Sequence, residues 1–198
     1  MSQAALFSLA PKITRLIRAD HASILTVFRR YTADTPAHLR QALADRMCVM
    51  LEIHSKLEEE VFYPALRELY PSHEVIQKCG AEHAELQRLI ARLRRLTTED
   101  IGFDAAVLNL MRQFLHHMAD EETVLLPAAE RVLADYLGEL GGRMRRRRFE
   151  LARPRAGEIA SGWVRSVPVS RVALVAGAFG LGLLLASVLG HRSEADRD

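Results

Sequence analysis

Six side chains of this 198-residue chain stand at matched places in two halves and are of types that bind metal. The first copy runs Asp20-His21, then His54 and Glu58-Glu59, then Tyr63-Pro64-Ala65. The second runs Glu82-His83, then His117 and Glu121-Glu122, then Leu126-Pro127-Ala128. His21 to His83 is 62 positions, and His54 to His117, Glu58 to Glu121 and Pro64 to Pro127 are each 63. Within each copy His and Glu stand four apart, so on a helix both side chains leave from one face, about one turn apart. Imidazole nitrogen and carboxylate oxygen at that spacing suit a borderline divalent metal such as iron. Two such halves facing each other could hold two metal ions, with the glutamates free to bridge them. One His-x-x-x-Glu alone is an ordinary surface contact worth a few tenths of a kcal/mol. A solvated face has no reason to keep His, Glu, Glu and Pro in step; a shared metal site does.

Four amphipathic helices must carry these residues. Ile13, Leu16, Ile17, Ile24, Val27 and Phe28 recur at helical steps and predict a helix from about Pro11 to Tyr31, with His21 in its apolar stripe. Thr35-Pro36 predicts a second start, a capping threonine before a first-turn proline. Leu39, Leu43, Met47, Met50, His54, Glu58 and Val61 then form one face. Pro64 is expected to kink or interrupt that helix just beyond the ligands, and Pro127 repeats the break at the same height. Tyr70-Pro71-Ser72 predicts a turn with Ser72 capping the third helix, whose inner face is Ile76, Cys79, His83, Leu86, Ile90 and Leu93. After a polar loop, Val107, Leu110, Phe114, His117, Glu121 and Val124 line the fourth. The expected fold is all-α, an up-down four-helix bundle, a fold whose core commonly holds di-metal sites. His38 and His73 have no counterpart in the repeat, and His116 loses its place to His117, so all three are expected to be bystanders.

The order His21, His54-x-x-x-Glu58, His83, His117-x-x-x-Glu121 resembles the hemerythrin-like family, the His-His-Glu cation-binding domains, over residues 10–140. The resemblance implies two bridged non-haem iron ions, with His21, His54, His83 and His117 as terminal ligands and Glu58 and Glu121 as bridges. Oxygen-carrying hemerythrins add a histidine four residues before the third one, where this chain has Cys79. They also end on a His-x-x-x-x-Asp step, where this chain has His-x-x-x-Glu. The implied set is a symmetric four-His, two-Glu one, which argues against reversible oxygen carriage. Manganese or zinc would also fit these ligands.

Composition places the bundle at a membrane. Residues 1–142 hold 16 basic and 20 acidic side chains, whereas residues 143–171 hold nine arginines against Glu150 and Glu158. Residues 172–190 then run without a charge. At about 1.5 Å per residue that helix spans roughly 28 Å, close to the ~30 Å hydrocarbon thickness. The expected organisation is a di-metal bundle over 10–140 closed by Gly138 and Gly141-Gly142, a basic juxtamembrane linker over 141–167, a transmembrane helix over 168–190 and a short tail over 191–198. Arginine before the span and little after it puts the bundle on the cytoplasmic side of the cell (inner) membrane. Arg143 to Arg148 would attract anionic headgroups, Trp163 would sit at the interface, and the stripe Ala178, Gly182, Ala186, Gly190 offers a homo-oligomer contact between spans. No nucleic-acid partner is expected. Cys48 and Cys79, without a CxxC, exclude a disulfide framework or zinc ribbon and suit a reducing compartment. Cys79 is expected to be a small buried residue; the alternative is a thiol near enough to the metals to ligate or sense oxidation.

No nucleophile–base pair, phosphate loop or cofactor motif occurs. The leading expectation is a membrane-tethered non-haem di-iron protein that senses or handles O₂, NO, peroxide or iron. One alternative is a redox enzyme reducing peroxide or NO at the same centre, with Cys79, Tyr31 and Tyr63 as nearby redox groups. Another is a membrane adaptor whose bundle is mainly structural.

Overall fold

The computed structural model describes residues 11–32, 34–69 and 74–160, and every regular element among them is helical. α1 spans Ile13–Phe28, α2 Ala37–Leu57, α3 Tyr63–Leu69, α4 Glu74–Leu93, α5 Phe103–Asp120, α6 Leu126–Val132 and α7 Leu137–Ala152. The long rods α1, α2, α4 and α5 are the four the periodicity predicts. α1 packs on α2, α2 on α4 and α4 on α5. The expectations for residues 1–10, the 70–73 turn, Trp163, the 168–190 span and the tail lie outside the described residues. Among the described residues no helix is long and apolar enough to cross a membrane.

On α1 and α4 the histidine lies between two apolar blocks. On α1, Ile13 and Ile17 lie on one side of His21, and Ile24, Val27 and Phe28 on the other. On α4, Ile76 and Cys79 precede His83, while Leu86, Leu89, Ile90 and Leu93 follow it. Stacking the rods makes two apolar clusters with a layer of histidine and glutamate between them. Burial of each large side chain in those clusters contributes about 1.5–3 kcal/mol, and this packing is what tolerates the polar layer.

Both prolines are met by the same device. Glu58–Phe62 and Glu121–Leu125 are π-turns, closed by bonds from the Tyr63 and Leu126 N–H groups to the Glu58 and Glu121 carbonyls, five residues back. Pro64 and Pro127 have no N–H to give and crowd the preceding turn, so a wider turn just ahead of each accommodates the ring and the chain stays helical. The extra residue also advances the inward face by one. Val124, expected inside, is 42% exposed, and Leu125 takes its place at 1%.

Two further expectations are corrected. Gly138 and Gly141-Gly142 do not close the bundle; they belong to α7, a fifth long helix that packs on α1 and α2. Gly141 makes the approach workable, because a Cβ there would collide with the Pro11 carbonyl oxygen. Leu137, Leu140 and Met144 join the apolar cluster nearest Pro64, and α2 buries Val49 and Ile53 on a second face as a result. The first part of the expected basic linker is therefore a docked helix. Its arginines divide by helical phase: Arg147 pairs with Glu60 and Arg148 with Asp20, while Arg143, Arg145 and Arg146 face solvent. Beyond it, Arg155 reaches Glu52, and Arg94 bonds both Glu52 and Glu158. The second correction concerns Thr35, which does not cap α2. Its hydroxyl donates to the Arg30 carbonyl at 3.1 Å and accepts from the Thr32 N–H at 3.0 Å, folding the α1–α2 turn instead.

Candidate metal centre

All six repeat residues meet in one buried layer. His21 comes from α1, His54 from the last turn of α2, His83 from mid-α4 and His117 from the last turn of α5. Glu58 and Glu121 open the two π-turns. Every one of the six is at most 1% exposed. Their donor atoms fall into two sets, His21 with His54, Glu58 and Glu121, and His83 with His117 and Glu58, each gathered within 4.8 Å. Glu58 belongs to both. Its Oε2 lies 3.2 Å from His83 Nε2, 3.4 Å from His54 Nε2 and 3.7 Å from His117 Nε2. Glu121 also spans the halves, with Oε2 3.3 Å from His21 Nε2 and 3.5 Å from His117 Nε2. Phe114 closes the side away from the prolines, packing edge-on to His21 and His54 with ring centroids 5.8 and 6.0 Å away.

The outward imidazole nitrogens meet a second ring of carboxylates, and this accounts for the acidic residues that repeat beside the ligands. Glu122 Oε1 is 2.8 Å from His21 Nδ1, Glu59 Oε1 is 3.1 Å from His83 Nδ1, and Glu82 Oε2 is 3.1 Å from His117 Nδ1. Asp20 Oδ2 faces His54 Nδ1 at 3.8 Å. Thus the residue before each half's first histidine serves that half's second, and the residue after each ligand glutamate serves a histidine of the other half. A carboxylate on the far nitrogen fixes the tautomer and the ring plane, and it raises imidazole basicity toward a metal.

The electrostatics of the pocket favour a cation. Burial opposes ionisation of Glu58, but the His54, His117 and His83 imidazoles hold its carboxyl well below the usual range. Burial likewise opposes charge on His21, His83 and His117; the surrounding glutamates raise the first two nonetheless, and Cys79 together with Glu58, Glu82 and Glu121 raises His117. A pocket of buried carboxylates therefore favours positive charge among its imidazoles. Several donor atoms also lack hydrogen bonds: His21 Nε2, both His54 nitrogens, Glu58 Oε1 and Glu121 Oε2. Buried polar atoms rarely go unpaired. Orphaned nitrogen and oxygen converging in a pocket that favours positive charge fit divalent cations in type and arrangement.

Comparison with known proteins agrees. Residues 12–129 match the family described as the hemerythrin HHE cation binding domain. The chain belongs to this family. An HHE domain binds metal cations, and the His/Glu clusters above are its candidate ligands here. The chain is similar to uncharacterized proteins of Mycobacterium tuberculosis and Mycobacterium bovis, 31% identical over 129 residues that cover 63% of this chain and 78% of each of them. It is also similar to a protein of a Nostoc species named as a DNA nickase, 26% identical over 116 residues, 59% of this chain but only 33% of that protein's length. Among solved structures, the crystal structure of an HHE domain-containing protein from Mycobacterium kansasii superposes with a TM-score of 0.63 at 23% identity, covering 79% of this chain and 99% of that one, a likeness of fold.

Other side chains near this HHE layer sort clearly. Tyr63, in the π-turn register above Glu58, sends its hydroxyl to Glu121 Oε1 at 2.8 Å, with His83 Nε2 at 3.3 Å. Its counterpart in the second half is Leu126, so the centre is asymmetric by one hydroxyl. Burial and the two glutamates push the Tyr63 phenol well up, and it stays protonated. Tyr31 is elsewhere, bonded to Asp104 at the α1–α2 end. Cys79 is fully buried and clusters with His117 and Glu82. Burial raises its thiol above the ordinary value, which suits a packing residue more than a reactive one. His116 is exposed among Lys78 and Asp120, His38 is exposed, and His73 lies outside the described residues. In the sequence the outer ring of Asp20, Glu59, Glu82 and Glu122 shows as acidic residues that repeat beside the ligands, and Glu59 alone reads there as a residue that could support a ligand.

Proposed function

We propose that this chain is a membrane-tethered non-haem di-iron protein that senses or handles O₂, NO, peroxide or iron. The observation that carries the reading is the pair of buried donor sets joined through Glu58. His21 and His54 would hold one ion and His83 and His117 the other, with Glu58 and Glu121 between them. Iron so bound, with nitrogen and carboxylate ligands and exchangeable positions, supplies binding and one-electron chemistry toward small diatomics and peroxide. The protein's share is to exclude water with the two apolar clusters, fix four ring planes with the outer carboxylates, and hold a proton on Tyr63 beside Glu121. Zinc or manganese would occupy the same donors, so metal analysis decides. The full chain should carry iron in both donor sets and change its absorption spectrum on oxidation, and His54→Ala should weaken both signals. Well under one iron per chain, with His54→Ala indistinguishable from the parent, would sink the proposal.

The tether rests on the uncharged stretch 172–190 and the arginines ahead of it, which also put the bundle on the cytoplasmic side. Arg143, Arg145 and Arg146 are the solvent-facing residues that would meet anionic lipid. Recovery of the full chain in the soluble fraction after lysis would contradict the tether. A second reading, reduction of peroxide or NO at the same centre, is favoured by one contact: the protonated Tyr63 hydroxyl, 2.8 Å from Glu121, is placed to deliver a proton. Turnover with a reductant, lost in Tyr63→Phe, separates this enzyme from a sensor that only changes spectrum.

A further inference from the structure

The two halves differ at one outer carboxylate. Glu82 bonds His117 Nδ1 at 3.1 Å, and the cation behind it, Lys78, touches a single oxygen at 3.6 Å. Asp20 holds the equivalent place against His54. Leu16 occupies the position that corresponds to Lys78, four residues before the acid, and the cation comes instead from α7. Arg148 forks Asp20, Nη1 to Oδ1 at 2.6 Å and Nη2 to Oδ2 at 2.5 Å, taking both oxygens. Asp20 stands 3.8 Å from His54 Nδ1, against 2.8 to 3.1 Å for the other three outer contacts. His54 Nδ1 has no hydrogen bond, alone among the four outward nitrogens.

We propose that Arg148 is a positioning residue for the metal centre, drawing Asp20 back from His54 and leaving this imidazole the least restrained of the four. The proposal rests on the metal-centre reading above. Bidentate guanidinium–carboxylate pairing is the stronger geometry, so Arg148 outcompetes the imidazole N–H for Asp20. Without that hydrogen bond the His54 ring is the freest of the four to turn, so the cation held by His21 and His54 is the more readily exchanged. The fifth helix thereby sets an inequality between two halves whose ligands are otherwise matched. Removing the guanidinium frees both Asp20 oxygens, with His54 Nδ1 3.8 Å away to donate to one.

Zinc is the probe, because it is diamagnetic and takes the same donors. In the zinc-loaded full chain, held in detergent, carboxylate-bonded imidazole N–H protons give downfield resonances that assign to His21, His83 and His117. Arg148→Ala should add a fourth, from His54, and slow chelator-driven zinc loss from the faster-releasing half by about tenfold. Arg148→Lys, able to grip one oxygen, should fall between, and it carries the test if the alanine variant fails to fold. On an Asp20→Ala background Arg148→Ala should change neither reading. Zinc loss that is faster or unchanged in the Arg148 variants, or a His54 resonance already downfield in the parent, overturns the proposal. A parent chain that binds no zinc overturns the metal-centre reading with it.

Discussion

Glu58→Gln should empty both donor sets, whereas Glu121→Gln should leave the His83–His117 set most of its affinity. Glu58 belongs to both sets and lies within 3.7 Å of three imidazoles, while Glu121 gathers with the His21–His54 set and touches the other half through His117 alone, at 3.5 Å. Glutamine keeps the volume and one oxygen but removes the charge. Losing an outer partner of a ligand costs 10–100-fold in metal affinity, so losing a carboxylate ligand itself should cost at least about 100-fold at each site it serves. At about 1.4 kcal/mol per tenfold, that is roughly 2.8 kcal/mol per site. The metal-free chain should also lose stability, because breaking a buried ion pair costs about 3–5 kcal/mol. Part of this is offset when His83 and His117, raised by Glu58 among others, release their protons. Calorimetric titration of metal-free full-length chain with zinc or ferrous iron reads both effects. Expected are two tight sites in the parent, one in Glu121→Gln and none in Glu58→Gln. Two tight sites surviving in Glu58→Gln, or equal damage from the two substitutions, would refute the shared-carboxylate geometry.

Adding a methyl group at Gly141 should push α7 off the Pro11 backbone at a cost of about 1–3 kcal/mol and open residues 143–155 to protease, whereas Gly157→Ala, with open space around it, should be neutral or slightly stabilising. His117→Ala should lose metal and His116→Ala keep it, because of the two only His117 reaches Glu58 and Glu121; metal analysis of the two proteins checks the choice. Metal affinity should climb with pH through and above the ordinary imidazole range, since an entering cation must displace protons from His21, His83 and His117, by up to about tenfold per pH unit for each proton released. Stability of the metal-free chain should follow the opposite sign. The raised histidines stabilise it fully below pH 6.5, a contribution lost as pH rises through their higher folded values, while the lowered Asp20 and Glu58 contribute above the ordinary carboxylate range and lose it as pH falls. Thermal melts across pH should show the metal-free protein weakening toward alkaline pH.

The ligand layer was legible because duplication constrains side chains in register, and a helix converts a four-residue step into a shared face. His21, His54, Glu58, His83, His117 and Glu121 meet as their spacing predicts. The π-turns were half legible. A proline beyond each ligand glutamate announces a disturbance, but whether the helix bends, breaks or widens depends on what packs beside it. Here widening keeps α3 and α6 in line and brings Tyr63 over Glu58. The fifth helix was hidden by its own composition. Three glycines and a run of arginines resemble a solvated linker when judged one residue at a time. Gly141 is instead small because Pro11 lies against it, and Arg147 and Arg148 are basic because Glu60 and Asp20 lie opposite. Such reasons are long-range, with partners 87 and 128 residues away, and no local period encodes them. The same distance gives α7 its leverage: a helix outside the duplicated unit reaches a ligand within it through one carboxylate, so the two halves need not behave alike.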